Sequence, residues 1–184
     1  MPQKLPIIGV MGSHEEEWED YADPLGDLIA RRGYHLLTGA GAGVMTAAAR
    51  AFTSVKHRAG VCLGICPVIV SHYKGVPVSD REFPNPYVEA QLVVPLDAKA
   101  QVDAVPYSRN MMNIMTSHAV VVLPGAHGTK NEVSLALMYN KPLVLFGPDR
   151  AFSQFPQEPL HTDDIAHVAQ FFDDVFGPVE DSEE

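Results

Sequence analysis

Ten residues from Leu123 to Glu132, LPGAHGTKNE, crowd two glycines, a hydroxyl and a carboxylate into the point where an apolar run ends and a helical pattern begins. Gly125 and Gly128 let the backbone approach a ligand closely. Thr129 and the N–H groups of a helix starting here point toward any anion in the turn, where the helix dipole favours negative charge. Phosphate is the natural occupant. The same letters also spell a T-x-x-E capping box from Thr129 to Glu132, which satisfies the first turn of a helix with no ligand. The residues alone leave both readings open.

Arg109 is the second candidate. If Ser108 caps a helix, the guanidinium stands in its first turn, where the dipole disfavours a cation by ~0.3–1 kcal/mol. A cation placed against that preference is suited to meeting an anion. The plainer alternatives are a solvated arginine or an ion pair with Glu132. Gly39, Gly41 and Gly43, in GAGAG, lie between a strand-like and a helix-like run, either as a ligand cradle or as a tight turn for close packing. Position 44 is valine where G-x-G-x-x-G needs glycine, and no acidic residue follows about 20 positions on, which argues against a dinucleotide fingerprint. PGAHGT lacks the G-K-[ST] ending of a Walker loop, which argues against ATP hydrolysis. Cys62 and Cys66 share one face of a strand about 13 Å apart, too far for a disulfide. His161 and His167, six apart, fit no metal-ligand spacing, and no metal is expected.

These groups need elements to position them, and short apolar runs alternating with helical stretches supply the pattern of βαβ units around a parallel sheet. Strands are predicted at Leu5 to Met11, Tyr34 to Thr38, Val61 to Ile65, Ala119 to Leu123 and Leu143 to Phe146. Helices are predicted near Asp23 to Arg32, with Asp23 as cap and Pro24 in the first helical position, and at Val44 to His57, Ser108 to Ser117, Thr129 to Asn140 and Asp164 to Val175. The Pro-rich excursion from 67 to 106 holds one apolar run, Leu92 to Leu96, which suggests an extra strand or hairpin. A doubly wound, mostly parallel α/β sheet of the Rossmann-like kind binds ligands outside the carboxyl ends of its strands. Four distant stretches then converge there: Gly12 and Ser13, the Gly39 to Gly43 turn, Ser108 to Asn110, and the PGAHGT turn.

Length and charge limit the partners. A chain of 184 residues suits one domain, expected over 1–178, followed by a disordered acidic tail at 179–184. The net charge of −10 opposes nucleic acid and anionic membranes, so neither is an expected partner. No segment approaches the ~20 apolar residues of a membrane span. The start, MPQKLPIIGVMG, lacks the long apolar core of a signal peptide, so a cytoplasmic protein is expected.

Taken together, VMGSH, LLTGAGAGVMTAAA and YSRNMMNIMTSHAVVVLPGAHGTKNEV resemble the LOG (lonely guy) proteins and their relatives, the molybdenum cofactor carrier proteins. The most specific element is an arginine followed at fixed spacing by PGGxGTxxE. Fourteen residues separate Arg109 from Pro124, and Glu132 falls on the final glutamate. The resemblance implies that Arg109 and Glu132 are the catalytic pair of a cofactor-free phosphoribohydrolase, which splits a nucleoside 5′-monophosphate into base and ribose 5-phosphate. In that leading reading Glu132 stabilises the positive charge that builds on the ribose, and Arg109 holds the substrate. Gly125, Gly128 and Thr129 receive the phosphate, while Gly12, Ser13, Gly39, Gly41, Gly43 and Asn110 line the rest of the small phosphorylated ligand. Three departures stand out: Asn110 in place of a lysine, Ala126 for the second glycine of PGG, and Ala40 inside the family's GGG. The Arg-Asn pair and the VMGS opening look more like the carrier branch. The alternative implied is a non-catalytic carrier of molybdenum cofactor or a nucleotide sensor. A homodimer or homotetramer is also implied by the resemblance.

Overall fold

Residues 4–69, 78–79, 83–94 and 109–178 are described by the computed structural model. In chain order they form β1 (Ile7–Met11), α1 (Glu19–Arg31), β2 (His35–Thr38), α2 (Val44–Ser54), β3 (Cys62–Ile69), β4 (Val78–Ser79) and β5 (Ala90–Val94). Then come α3 (Arg109–Thr116), β6 (Ala119–Val122), α4 (His127–Met138), β7 (Leu143–Phe146), β8 (Leu160–Thr162) and α5 (Ile165–Phe176).

Strand β1 lies between β2 and β6. The sheet continues through β3 and β5 on one side and through β7 and β8 on the other, all parallel. Among the described residues only β4 runs antiparallel, against the far end of β3. The β6 run AVVV and the β7 run LVLF are buried along their whole length, as central parallel strands covered on both faces must be. Helices α1, α2 and α5 cover one face, packing Leu25, Ile29, Phe52 and Phe172. Helices α3 and α4 cover the other with Ile114, Val133 and Ala136. This is the expected single-domain, doubly wound Rossmann-like sheet. Its strand order reverses between β1 and β6, so a crevice opens at their carboxyl ends.

Several element boundaries differ from expectation. Helix α1 starts at Glu19, so Asp23 is not its cap and Pro24 lies inside it. Burial decides this: Ala22 is fully buried, and the Tyr21 ring packs edge-on against Phe146 at 5.2 Å. The carbonyl that Pro24 cannot bond belongs to Asp20, which is exposed to water. The apolar run of the excursion is a strand, but at Ala90–Val94 and parallel to β3. Strand β8 was not expected at all; its three residues, LHT, are too few to carry an alternation. Cys62 and Cys66 are buried free thiols on β3. The expected cap Ser108 and the acidic tail at 179–184 lie outside the described residues. Among the described residues no helix is long and apolar enough to cross a membrane.

Candidate functional site

A cleft of about 170 Å³ opens at the carboxyl ends of β1 and β6. Gly12, Ser13, Arg109, Asn110, Gly128, Thr129 and Glu132 line it, together with His14, Met45 and Asn113. The remaining expected site residues border it. Gly39 bonds to Arg109, Gly41 abuts His14, Gly43 abuts the Ser13 carbonyl, and Gly125 lies against Thr129.

The turn after β6 differs from a capping box. Helix α4 begins at His127, two residues before the expected start, with Ala126 in the cap position and no side-chain cap bond. Thr129 is therefore the third helical residue and is buried, and Glu132 hydrogen-bonds across to α3 instead of reaching back. The N–H groups of Gly128 and Thr129 take no protein partner among the described residues, which leaves them open to an anion in the turn. A Cβ on Gly125 would stand 2.1 Å from Thr129 Oγ1 and 3.0 Å from the Ser13 nitrogen, so glycine is what brings hydroxyl and turn together.

Ser13 joins three segments by its backbone. Its N–H donates to the Pro124 carbonyl at 2.9 Å, and its carbonyl accepts from Val44 N–H at 2.9 Å. Its hydroxyl accepts from the N–H groups of Glu15 and Glu16, so the side chain stabilises its own turn. Gly43, at φ +63°, would place a Cβ 2.3 Å from the Ser13 carbonyl oxygen, which reserves this position for glycine.

Arg109 opens α3 and donates from Nη1 to the Gly39 carbonyl at 3.1 Å, while the Phe83 ring lies 5.1 Å from its guanidinium carbon. It makes no ion pair among the described residues, so the Glu132 pair considered from the sequence does not form. Burial holds its pKa below the usual arginine value, with the Glu132 charge opposing. Asn85 donates from its backbone N–H to the Ala40 carbonyl at 2.8 Å and from Nδ2 to the Gly41 carbonyl at 3.0 Å. With Thr46 Oγ1 also on Gly41, three successive carbonyls of the glycine turn are engaged by protein donors. A cleft whose nearby acceptors are already bonded repels an anion less. Asn110 ties α3 to α4 by donating to Asn131 Oδ1 at 3.3 Å.

Glu132 forms the floor with Asn113, whose Nδ2 donates to Glu132 Oε1 at 3.2 Å. Burial pushes the Glu132 carboxyl up to about 7, against the Asn113 bond and the Arg109 charge, which both favour the ionised form. Asn113 is 1% exposed, and among the described residues its Oδ1 has no hydrogen-bond partner. Sequence reasoning missed Asn113, though a signal existed: it follows Arg109 by four residues, on the same helix face, within a methionine-rich stretch. Phe83 and Asn85 carried no such signal, because only the tertiary path of the excursion brings them to the glycine turn.

The model of the SLOG cluster4 family matches residues 5–171. The chain belongs to the SLOG cluster4 family. Every cleft residue named above falls within the match. This SLOG cluster4 protein is similar to the molybdenum cofactor binding protein from the phototrophic bacterium Rippkaea orientalis, at 27% identity and TM-score 0.65, over 94% of this chain and 98% of that one. It is also similar to the molybdenum cofactor carrier protein MCP from Chlamydomonas reinhardtii, 28% identical with TM-score 0.64, over 92% of this chain and 99% of that one. A protein of Archaeoglobus fulgidus is 26% identical over 147 residues, 79% of this chain and 82% of the relative.

Proposed function

We propose that this SLOG cluster4 protein binds a phosphorylated, ring-bearing ligand of the molybdenum cofactor class at the carboxyl edge of its sheet and releases it intact. The observation that carries this reading is the first turn of α4, which has alanine in the cap position and no side-chain cap bond, with Thr129 over Gly125 and Arg109 in the same cleft. Backbone N–H groups, a hydroxyl and a cation together suit a phosphate. The two relatives, one a molybdenum cofactor binding protein and one a molybdenum cofactor carrier protein, support the choice of cargo.

The second reading, a phosphoribohydrolase, is favoured by one observation, that Arg109 and Glu132 line the same cleft. One experiment separates the two. Thermal unfolding is followed with molybdenum cofactor and with nucleoside 5′-monophosphates, and free base is assayed chromatographically after incubation. A carrier is stabilised by the cofactor, by about 2.7 kcal/mol at ~100 times Kd, and releases no base from any nucleotide. Base release that falls about a hundredfold in Glu132→Gln would establish the hydrolase instead. No stabilisation by any phosphorylated ligand would overturn both. A homodimer or homotetramer accompanies either reading, and light scattering tests it.

A further inference from the structure

The floor of the cleft holds an acceptor that none of the described residues uses. Asn113 is 1% exposed, and among the described residues its Oδ1 finds no donor, while Nδ2 is committed to Glu132. Buried polar atoms are paired in nearly all native sites, so an orphan on the wall of a cleft is open to a donor carried by a ligand. Asn113 is itself a lining residue of the cleft, so its amide lies at the boundary of the space a ligand would fill. Glu132 follows Thr129 by three residues, about 4.5 Å deeper along α4 at the helical rise per residue. A donor meeting this floor therefore sits one linkage away from a phosphate at the first turn.

We propose that Asn113 selects the ligand: its amide, beside Glu132, takes hydrogen bonds from the ring adjoining the phosphoester, so the cleft prefers phosphoesters whose ring carries O–H or N–H donors. The inference rests on the phosphate-binding reading above. Sugar hydroxyls and the N–H groups of a reduced heterocycle are two sources of the same chemistry, and the probes tell them apart.

Isothermal titration is run with inorganic phosphate, ribose 5-phosphate and a reduced pterin phosphate, on wild type and Asn113→Leu. Wild type should bind one of the two ring-bearing probes at least about tenfold more tightly than inorganic phosphate, the scale of one hydrogen bond to a charged or polar floor group. The probe that gains identifies the source. Asn113→Leu, similar in shape and free of the orphan, should lose the preference, its affinities for the two ring-bearing probes falling to that for inorganic phosphate within the same variant. Asn113→Ala, which cannot overpack, should give the same result if the leucine variant does not fold. A preference that survives in a folded variant overturns the proposal, as does a wild type that binds phosphate and both esters equally. Wild type that takes none of the three, phosphate included, overturns the underlying phosphate reading instead.

Discussion

Replacing Glu132 by glutamine should stabilise the protein, and by an amount that grows with pH. Burial raises the carboxyl from 4.5 to about 7. Between those values the unfolded chain has released a proton that the folded chain keeps, so the wild type loses about 1.4 kcal/mol of stability per pH unit. The penalty is absent well below 4.5 and complete above about 7. Glutamine has no proton to release, and its Oε1 can still accept from Asn113 Nδ2. Working through the linkage, the variant should exceed wild type by about 1 kcal/mol near pH 5.5 and by about 3 kcal/mol near pH 8. Urea unfolding at these two pH values measures the difference, and both lie above the isoelectric point of about 5.1. A gap that does not change with pH, or a wild type that is the more stable at pH 8, would refute the reasoning. Either result would mean that Arg109 and Asn113 compensate the buried charge fully.

Gly125→Ala drives a methyl into Thr129 and toward the Ser13 nitrogen; about 1–3 kcal/mol of stability should be lost, with phosphate affinity falling too, as thermal unfolding with and without phosphate will record. Burial pushes the Cys62 thiol up to about 12 and raises Cys66 as well, so native protein should resist iodoacetamide near pH 8 and react only once unfolded, read by intact mass. Asp164 caps α5 by accepting from Ala166 N–H at 2.8 Å. Asp164→Ala should therefore cost about 1 kcal/mol in urea unfolding while leaving ligand affinity unchanged.

The alternation of apolar runs with helical stretches was enough to read the doubly wound architecture, because buried parallel strands such as AVVV must be continuously apolar and their helices amphipathic. The convergence of Gly12, Arg109 and the PGAHGT turn followed from that topology, since every helix in such a sheet begins at the same edge. Short-range rules failed where burial outweighed them. Pro24 predicted a helix start, but the packing of Tyr21 and Ala22 placed it five residues earlier. The letters of a capping box at Thr129 and Glu132 matched a local motif, yet α4 began before the threonine and the glutamate turned to Asn113. Strand β8 has too few residues to show any period. Residue types and their order therefore determined the sheet and the edge that holds the site. The tertiary structure alone decided the rest: the Asn85 bonds to the glycine-turn carbonyls, the Phe83 ring over Arg109 and the unpaired Asn113 oxygen beside Glu132. These are contacts between segments far apart in the chain, and no local spacing encodes them.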